Sequence, residues 1–429
     1  MSYYRFTFLL FVVCTLSGCI EEYEADIPDD DTNLFVVEGT ICSGEMSKFV
    51  LSRSLSIRNS QADIWSDYAS TGFDTGLYHT FTSIPLVRGA NVSVRGSDGS
   101  EYMAEEGNGY YYCQIGLLSP DADYYLHIET EGEVYESEPQ KPLPTEKIAE
   151  VTGVQDTRQS NIDVLVTPDV PMESDKANYY SWTYDETWEV RPEHTTNIYF
   201  DIDSMKAIPK KNQFPPCGWK YAVNNTIHVG ASTNYQGQHI KRLKLYEIDR
   251  TDERLFYKYS GMVHQRAITK AEYEYELARR QASSEMGGLF TPQPSALPTN
   301  IRCLTSQKRV IGFVGCSLNK SEHRFFFHDY DFFVVRPPQK DDLIWLYGCD
   351  ENDCRRMVEK HMFLCEWIDN RKFHGRLSTS WAYERQLNVC KTGAFAEEPD
   401  FWRQDKEGDD NDDDNDNEKD DSDDGQEDE

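Results

Sequence analysis

The sequence has few basic residues for its size. Lys and Arg together number 43 against 75 Asp and Glu, which gives a formal net charge of -32 at pH 7. Proteins that bind duplex nucleic acid neutralise phosphates with basic side chains, so this balance excludes nucleic acid as an expected partner. Hydrophobic residues still make up 38% of the chain and aromatic residues 13%, which is enough apolar surface to build folded domains.

The short motifs of common enzyme classes are also missing. The chain has no Gly-x-Ser-x-Gly nucleophile elbow, no His-Glu-x-x-His zinc motif, no Walker loop and no dinucleotide fingerprint. We therefore expect a protein without enzymatic activity and without a cofactor. An extracellular hydrolase of glycan or peptide stays open as the alternative, because glycosidases need only two spatially placed carboxylates and have no universal short signature.

Apolar runs long enough to span a bilayer are absent as well. A spanning helix needs about 20 apolar residues, whereas the apolar run near the N-terminus extends only from Phe6 to Val13. A short apolar run after a basic residue is typical of a secretory signal peptide. The four residues Leu16-Ser17-Gly18-Cys19 resemble the lipobox of bacterial lipoproteins, in which the cysteine is acylated. We predict a signal peptide over residues 1–18 and a fatty-acyl anchor on Cys19.

The segment after Cys19 is acidic and contains proline. Residues 19–33 are predicted to form an extended tether, and their acidic residues resemble the surface-export signal of lipoproteins in the Bacteroidetes group. The expected location is therefore the outer membrane, with the protein held by its lipid and facing the cell exterior.

Most of the chain reads as short strands separated by turns. Between residues 34 and 145, strand patterns recur about every ten residues, which favours an N-terminal β-sandwich of immunoglobulin or transthyretin type. A proline-rich linker precedes a second β-rich domain over residues 146–402, with one or two inserted helices predicted at 269–285 and 353–368. Residues 403–429 are mostly acidic and are predicted to be a disordered tail.

Nine cysteines remain after Cys14, in the signal peptide, and Cys19 are set aside. An exported chain sits in an oxidising space, where disulfides are expected. We predict a bond between Cys42 and Cys113, and the further candidates are Cys349, Cys354, Cys365 and Cys390. His361 lies among these late cysteines, but their spacing matches no common zinc pattern, so no metal site is predicted.

An aromatic stretch in the second domain is the strongest ligand-binding candidate. Tyr180, Trp182 and Tyr184 alternate with small or polar residues, so their rings share one face of a strand, and Trp188 follows. Trp182, Tyr184 and Trp188 could form a stacking platform for sugar or peptide. The alternative, which we favour, is a core strand, because large aromatic rings dominate core burial.

Several segments together resemble a known family. The lipobox with its acidic continuation is one of them, and the others are Leu34–Gly39, Pro215-Pro216-Cys217-Gly218-Trp219, the Gly287–Ser295 segment, Val310–Phe313 and Pro399-Asp400-Phe401-Trp402. In these features the chain resembles the Bacteroidetes lipoproteins grouped as domain of unknown function 4249.

The resemblance implies a surface lipoprotein, often encoded beside a TonB-dependent outer-membrane transporter. The expected role is therefore accessory capture or delivery of a nutrient for such a transporter. Leu289 and Phe290 could dock the partner if they are exposed, whereas we favour a helix C-cap that returns both side chains to the core. A surface adhesion module is a further alternative, because fold alone does not determine function.

Overall fold

The computed structural model describes residues 33–54, 85–170, 178–211, 213–284, 297–336, 342–371 and 376–403. The predicted signal peptide, Cys19, nearly all of the tether, Leu289, Phe290 and nearly all of the acidic tail lie outside these ranges. Within the ranges, no helix is both long enough and apolar enough to cross a lipid bilayer.

The chain is mainly β, as predicted. Its strands are β1 Phe35–Cys42, β2 Met46–Arg53, β3 Asn91–Gly96, β4 Glu101–Gly107, β5 Tyr110–Gln114, β6 Tyr124–Thr130, β7 Glu133–Ser137, β8 Ile148–Val154, β9 Ile162–Pro168, β10 Tyr179–Val190, β11 Ile198–Asp201, β12 Lys206–Pro209, β13 Gly218–Ala231, β14 Leu243–Ile248, β15 Lys258–Ile268, β16 Ile301–Cys303, β17 Val310–Ser317, β18 Ser321–His328, β19 Ile344–Cys349, β20 Met362–Asp369 and β21 Leu377–Tyr383. The α-helices are α1 Lys270–Ser284, α2 Glu351–Glu359 and α3 Glu384–Leu387, and short 3-10 helices cover Ser232–Asn234, Glu253–Leu255 and Val389–Thr392.

Nine strands form the first sheet, in the order β16-β7-β6-β3-β4-β5-β2-β1-β17. Its two edges come together, because Thr299, just before β16, makes a bridge to Gly312 of β17. Phe35 of β1 also contacts Tyr135 of β7 with ring centroids 4.5 Å apart, although five strands lie between β7 and β1 in the sheet order. The curled sheet therefore encloses one apolar core.

Strands from far along the chain complete this first sheet. β17 pairs with β1 in parallel, from Phe35 opposite Val310 to Cys42 opposite Ser317, and β16 pairs with β7. The predicted boundary at residue 145 therefore does not separate two independent sheets. Two segments noted in the sequence, Leu34–Gly39 and Val310–Phe313, lie side by side here.

Two further sheets pack face to face. One has the order β13-β10-β15-β18 and the other the order β14-β9-β8. Alternate residues of β9, such as Ile162, Val164 and Val166, are fully buried between them, as expected for strands with one face on a core. A smaller core holds the three-stranded sheet β19-β21-β20, helix α2 and the β11-β12 hairpin together.

The helix predictions are partly right. α1 occupies Lys270–Ser284, and the backbone N–H of Glu272 donates to the Thr269 hydroxyl at 3.1 Å, as a capping pattern predicts. The helix predicted over 353–368 is wrong in its second half. α2 ends before His361, which has a positive φ of 57°, and the chain continues as β20 with Met362 and Leu364 buried in the small core.

Candidate functional site

The predicted aromatic platform on β10 faces the protein interior. Trp182 is 1% exposed and Tyr184 is 5% exposed, and the Tyr184 ring stacks on Tyr246 of β14 with centroids 3.8 Å apart. Trp188 is partly buried against the same core. These three rings fill the space between the two packed sheets instead of forming an open ligand platform.

The opposite face of the same sheet carries polar and charged side chains. We call it the outer face and define it by Asp185 on β10, His264 on β15 and Arg324 on β18. Successive side chains of a strand point to opposite sides of a sheet. The residues that alternate with the buried rings therefore point to the outer face. The outer face lies between the first sheet at one end and the C-terminal segment at the other.

A row of charged groups crosses the outer face. His264 Nε2 lies 3.2 Å from Asp185 Oδ2, and His264 Nδ1 lies 3.0 Å from Glu322 Oε1. Lys320 continues the row, with its Nζ 3.1 Å from Glu322 and 3.2 Å from Glu45 in the turn between β1 and β2. Burial by itself raises the pKa of Glu322, but the hydrogen bonds from Lys320 and His264 outweigh it, and the pKa is lowered.

A cavity of about 250 Å³ lies where this row meets the first sheet. We call it the arginine cavity, because Arg266 forms part of its wall together with Cys42, Glu45, His264 and Lys320. The Arg266 guanidinium forms an ion pair with Glu272 of α1. Its Nη1 is buried and has no hydrogen-bond partner among the described residues.

A larger cavity of about 580 Å³ lies at the other end of the outer face. We call it the aromatic cavity, because four of its lining residues are aromatic: Trp219, Tyr221, Phe395 and Phe401. Its polar lining consists of Asp185, Thr187, Lys220, Arg324, Glu397, Glu398 and Asp400. Sites for small ligands have volumes of about 300–1,000 Å³ and combine apolar walls with a few polar groups, so this cavity fits that description.

Residues 395–402, which we call the C-terminal strap, form one wall of the aromatic cavity. Trp219 and Phe395 exchange two backbone hydrogen bonds of 2.8 and 2.9 Å, which attach the strap to the edge strand β13. The strap ends in Trp402, which is 1% exposed and meets Trp219 edge to face at 6.4 Å. The wall is therefore held by backbone pairing at one end and by a buried indole at the other.

Arg324 forms the floor of the cavity beside Phe401. Its guanidinium carbon lies 3.5 Å from the centre of the Phe401 ring, and its Nη1 donates to the Ser260 hydroxyl at 3.1 Å. Burial lowers the pKa of Arg324, and nearby Asp185 only partly offsets this. In the described part of the chain no carboxylate lies within ion-pair distance of Arg324, so the Phe401 ring and the Ser260 hydroxyl hold its guanidinium.

Two rings of the cavity are open to solvent. Tyr221 is 56% exposed and Phe395 is 54% exposed. By contrast, Trp219 is 7% exposed, and its Nε1 is buried without a hydrogen-bond partner in the described ranges. Burial, followed by the neighbouring Asp185 carboxylate, raises the pKa of Tyr221, which stays a neutral hydroxyl donor at ordinary pH.

The predicted cysteine bond is absent. The six candidate cysteines, Cys42, Cys113, Cys349, Cys354, Cys365 and Cys390, are free thiols in the part of the chain that the structure describes. Cys42 and Cys113 lie on β1 and β5, which are separated by β2 in the sheet, and the Cys113 thiol donates to the Tyr102 carbonyl at 3.3 Å. Cys349 and Cys354, by contrast, are neighbours in the small core, where burial raises the pKa of Cys354 to about 12.

Sequence reasoning missed the residues that line the aromatic cavity. Tyr221, Arg324 and Phe395 stand in no recognisable motif, and only the folded sheet brings them together. A partial signal was available, since Trp219 and Phe401 belong to two of the segments that carry the family resemblance. The structure shows that these distant segments meet at one site.

Comparison with known proteins gives one positive finding. A family model described as "Domain of unknown function (DUF4249)" matches residues 20–323. The matched range contains every strand from β1 to β17 and ends inside β18, so the C-terminal strap lies beyond it. No curated protein matches the chain.

Proposed function

The chain belongs to the DUF4249 family of domains of unknown function, and we propose that it is a lipid-anchored surface protein that captures a small ligand for a TonB-dependent outer-membrane transporter. In this proposal Cys19 carries the lipid, and the folded body binds the ligand without chemical turnover. The aromatic cavity is the binding site.

The observation that supports capture is the construction of the aromatic cavity. It combines a volume of about 580 Å³ with two solvent-exposed rings and an arginine that has no ion-pair partner among the described residues. Exposed apolar side chains are common one at a time, but rings gathered around a concave polar floor are typical of ligand sites.

The support for the membrane setting comes from the sequence. The Leu16-Ser17-Gly18-Cys19 segment has the order of residues that lipoprotein processing requires. Each buried CH₂ of an acyl chain contributes about 0.8 kcal/mol, so two or more chains hold a protein stably at a bilayer. A protein held in this way acts close to the membrane, next to any transporter that shares it.

Two measurements test this proposal. Cells that express the full chain are labelled with a palmitate analogue, with Cys19→Ser as the matched variant. We expect label on the unmodified protein and none on Cys19→Ser. Recovery of unlabelled protein in the cytosol would contradict the anchor.

The transporter is tested by mild detergent extraction after cross-linking in intact cells, followed by mass spectrometry of the purified protein. We expect a TonB-dependent β-barrel in near-equal amount with the unmodified chain, and its loss with Cys19→Ser. Elution of the lipidated chain without such a barrel would refute the transporter role.

A further inference from the structure

The aromatic cavity also carries information about the kind of ligand. Tyr221 and Phe395 present exposed rings, whereas the core rings of β10 are sealed from solvent. A ring exposed in a cavity offers a flat apolar surface. Flat apolar surfaces suit a ligand with a rigid apolar face of its own, such as the C–H face of a pyranose ring.

The polar lining is of mixed type. It offers carboxylate acceptors in Asp185 and Asp400, a guanidinium donor in Arg324 and a hydroxyl in Thr187. A sugar hydroxyl both donates and accepts a hydrogen bond, so a saccharide can use acceptors and donors side by side. A hydrocarbon ligand would displace water from these groups and offer them no hydrogen bond in return.

The charge balance of the lining excludes strongly anionic ligands. Four carboxylates, from Asp185, Glu397, Glu398 and Asp400, face the two cations Lys220 and Arg324. Lys220 is itself paired with Glu253 at 2.8 Å. A polyuronate or a sulfated sugar would meet net repulsion, whereas a neutral saccharide would not.

The edge strand argues against an extended peptide. β13 is the outermost strand of its sheet, and an extended peptide binds such an edge through backbone hydrogen bonds. At the cavity, however, the backbone N–H and carbonyl of Trp219 are already bonded to Phe395 of the C-terminal strap. The strap therefore occupies the position that an added strand would take.

We propose that the aromatic cavity binds a neutral saccharide, with Tyr221 and Phe395 against the apolar face of a sugar ring and Arg324 and Asp185 hydrogen-bonded to its hydroxyls. This assignment rests on the proposed capture function and adds its ligand class. Trp219 supplies a further donor that lacks a partner within the described ranges.

The test is isothermal titration of the purified full-length lipoprotein in detergent. The probes are the neutral trisaccharides maltotriose, cellotriose, mannotriose and N,N′,N″-triacetylchitotriose, together with trigalacturonate and trialanine. We expect at least one neutral trisaccharide to bind, and neither trigalacturonate nor trialanine to do so.

Variants locate the binding. Tyr221→Ala should weaken saccharide binding at least tenfold, and Tyr221→Phe should keep most of it, because the ring is retained. The matched control is Tyr347→Ala, which removes a tyrosine that is 75% exposed on β19 in a different sheet. We expect Tyr347→Ala to leave affinity unchanged.

Three results would overturn the assignment. They are no binding of any neutral trisaccharide, equal binding by Tyr221→Ala and the unmodified protein, or equal losses in Tyr221→Ala and Tyr347→Ala. Binding of trigalacturonate or trialanine that Tyr221→Ala abolishes would reject the neutral-saccharide class while leaving capture intact. The transporter experiment reports on the capture role separately.

Discussion

Among the described glycines, Gly312 leaves the least room between its own backbone and that of a neighbouring strand. This close approach gives a specific prediction about stability. Gly312 of β17 lies opposite Val37 of β1 and has a φ of +120°. An added Cβ would lie 1.9 Å from the Val37 carbonyl oxygen and 2.7 Å from its carbonyl carbon. Both contacts are with backbone, which cannot move without disturbing the parallel pairing of the two strands.

The expected cost of Gly312→Ala has two parts. A non-glycine residue at such a φ costs about 1–3 kcal/mol in backbone strain. Forcing a methyl group into a packed site costs about 1–3 kcal/mol more. We therefore expect a loss of about 2–6 kcal/mol, a large share of the 5–15 kcal/mol by which a folded domain is typically stable.

The assay is urea unfolding followed by circular dichroism, with Gly132→Ala as the control. Gly132 also has a positive φ, of 78°, but an added Cβ there meets nothing within 4 Å. The control therefore carries backbone strain without the collision and should lose only about 1 kcal/mol. Equal urea midpoints for the two variants would refute the reasoning, because the collision would then have no cost.

Two further predictions concern titratable groups in or beside the β13-β10-β15-β18 sheet. Arg254→Met should destabilise the protein by about 3 kcal/mol, because Glu186, 5% exposed and 2.5 Å from Arg254, would lose its charge partner. The control is Arg371→Met, which removes an exposed ion pair with Glu351. Its expected cost in the same urea titration is about 0–1 kcal/mol, and similar costs for Arg254→Met and Arg371→Met would contradict the prediction. Burial, and then Arg280, lower the pKa of His228 to about 4 from its usual 6.5. Between pH 6.5 and 4, His228 is protonated in the unfolded chain but not in the folded chain. The free energy of unfolding should therefore fall as pH drops through this window. We expect a fall of about 1–2 kcal/mol, because solvent partly screens the side chain. His228→Gln should lose less stability than the unmodified protein over the same pH range. If the free energy of unfolding changes with pH equally in both proteins, the prediction is wrong.

Strand patterns and capping signals were enough to predict the fold class and the first helix. Alternation along β9 and β10 marks one buried face, and Thr269 with Glu272 marks a helix start, because these signals are local. The pairing of β1 with β17 could not be predicted, since it joins residues about 275 positions apart and no local pattern specifies a distant partner. The second half of the helix predicted over 353–368 failed because β20 is fixed by packing in the small core, which overrides helix propensity.

The candidate site shows the same limit. Trp182 and Tyr184 attracted attention because they are close in sequence, yet burial places them in the core. Tyr221, Arg324 and Phe395 lie on three separate segments, and their shared cavity depends on how β13, β18 and the C-terminal strap are arranged. Sequence spacing carries no information of that kind, although Trp219 and Phe401 mark the right segments.

The parallel pairing of β1 with β17 has a consequence for how the chain matures. During synthesis, β1 leaves the ribosome long before β17, and its outer edge must stay unpaired until residues 310–317 arrive. Folding of this sheet has a high contact order, and such topologies form slowly. In the export that we propose, this delay would help the chain, because translocation requires an unfolded polypeptide. The late strand postpones closure of the sheet until nearly three quarters of the sequence has been made.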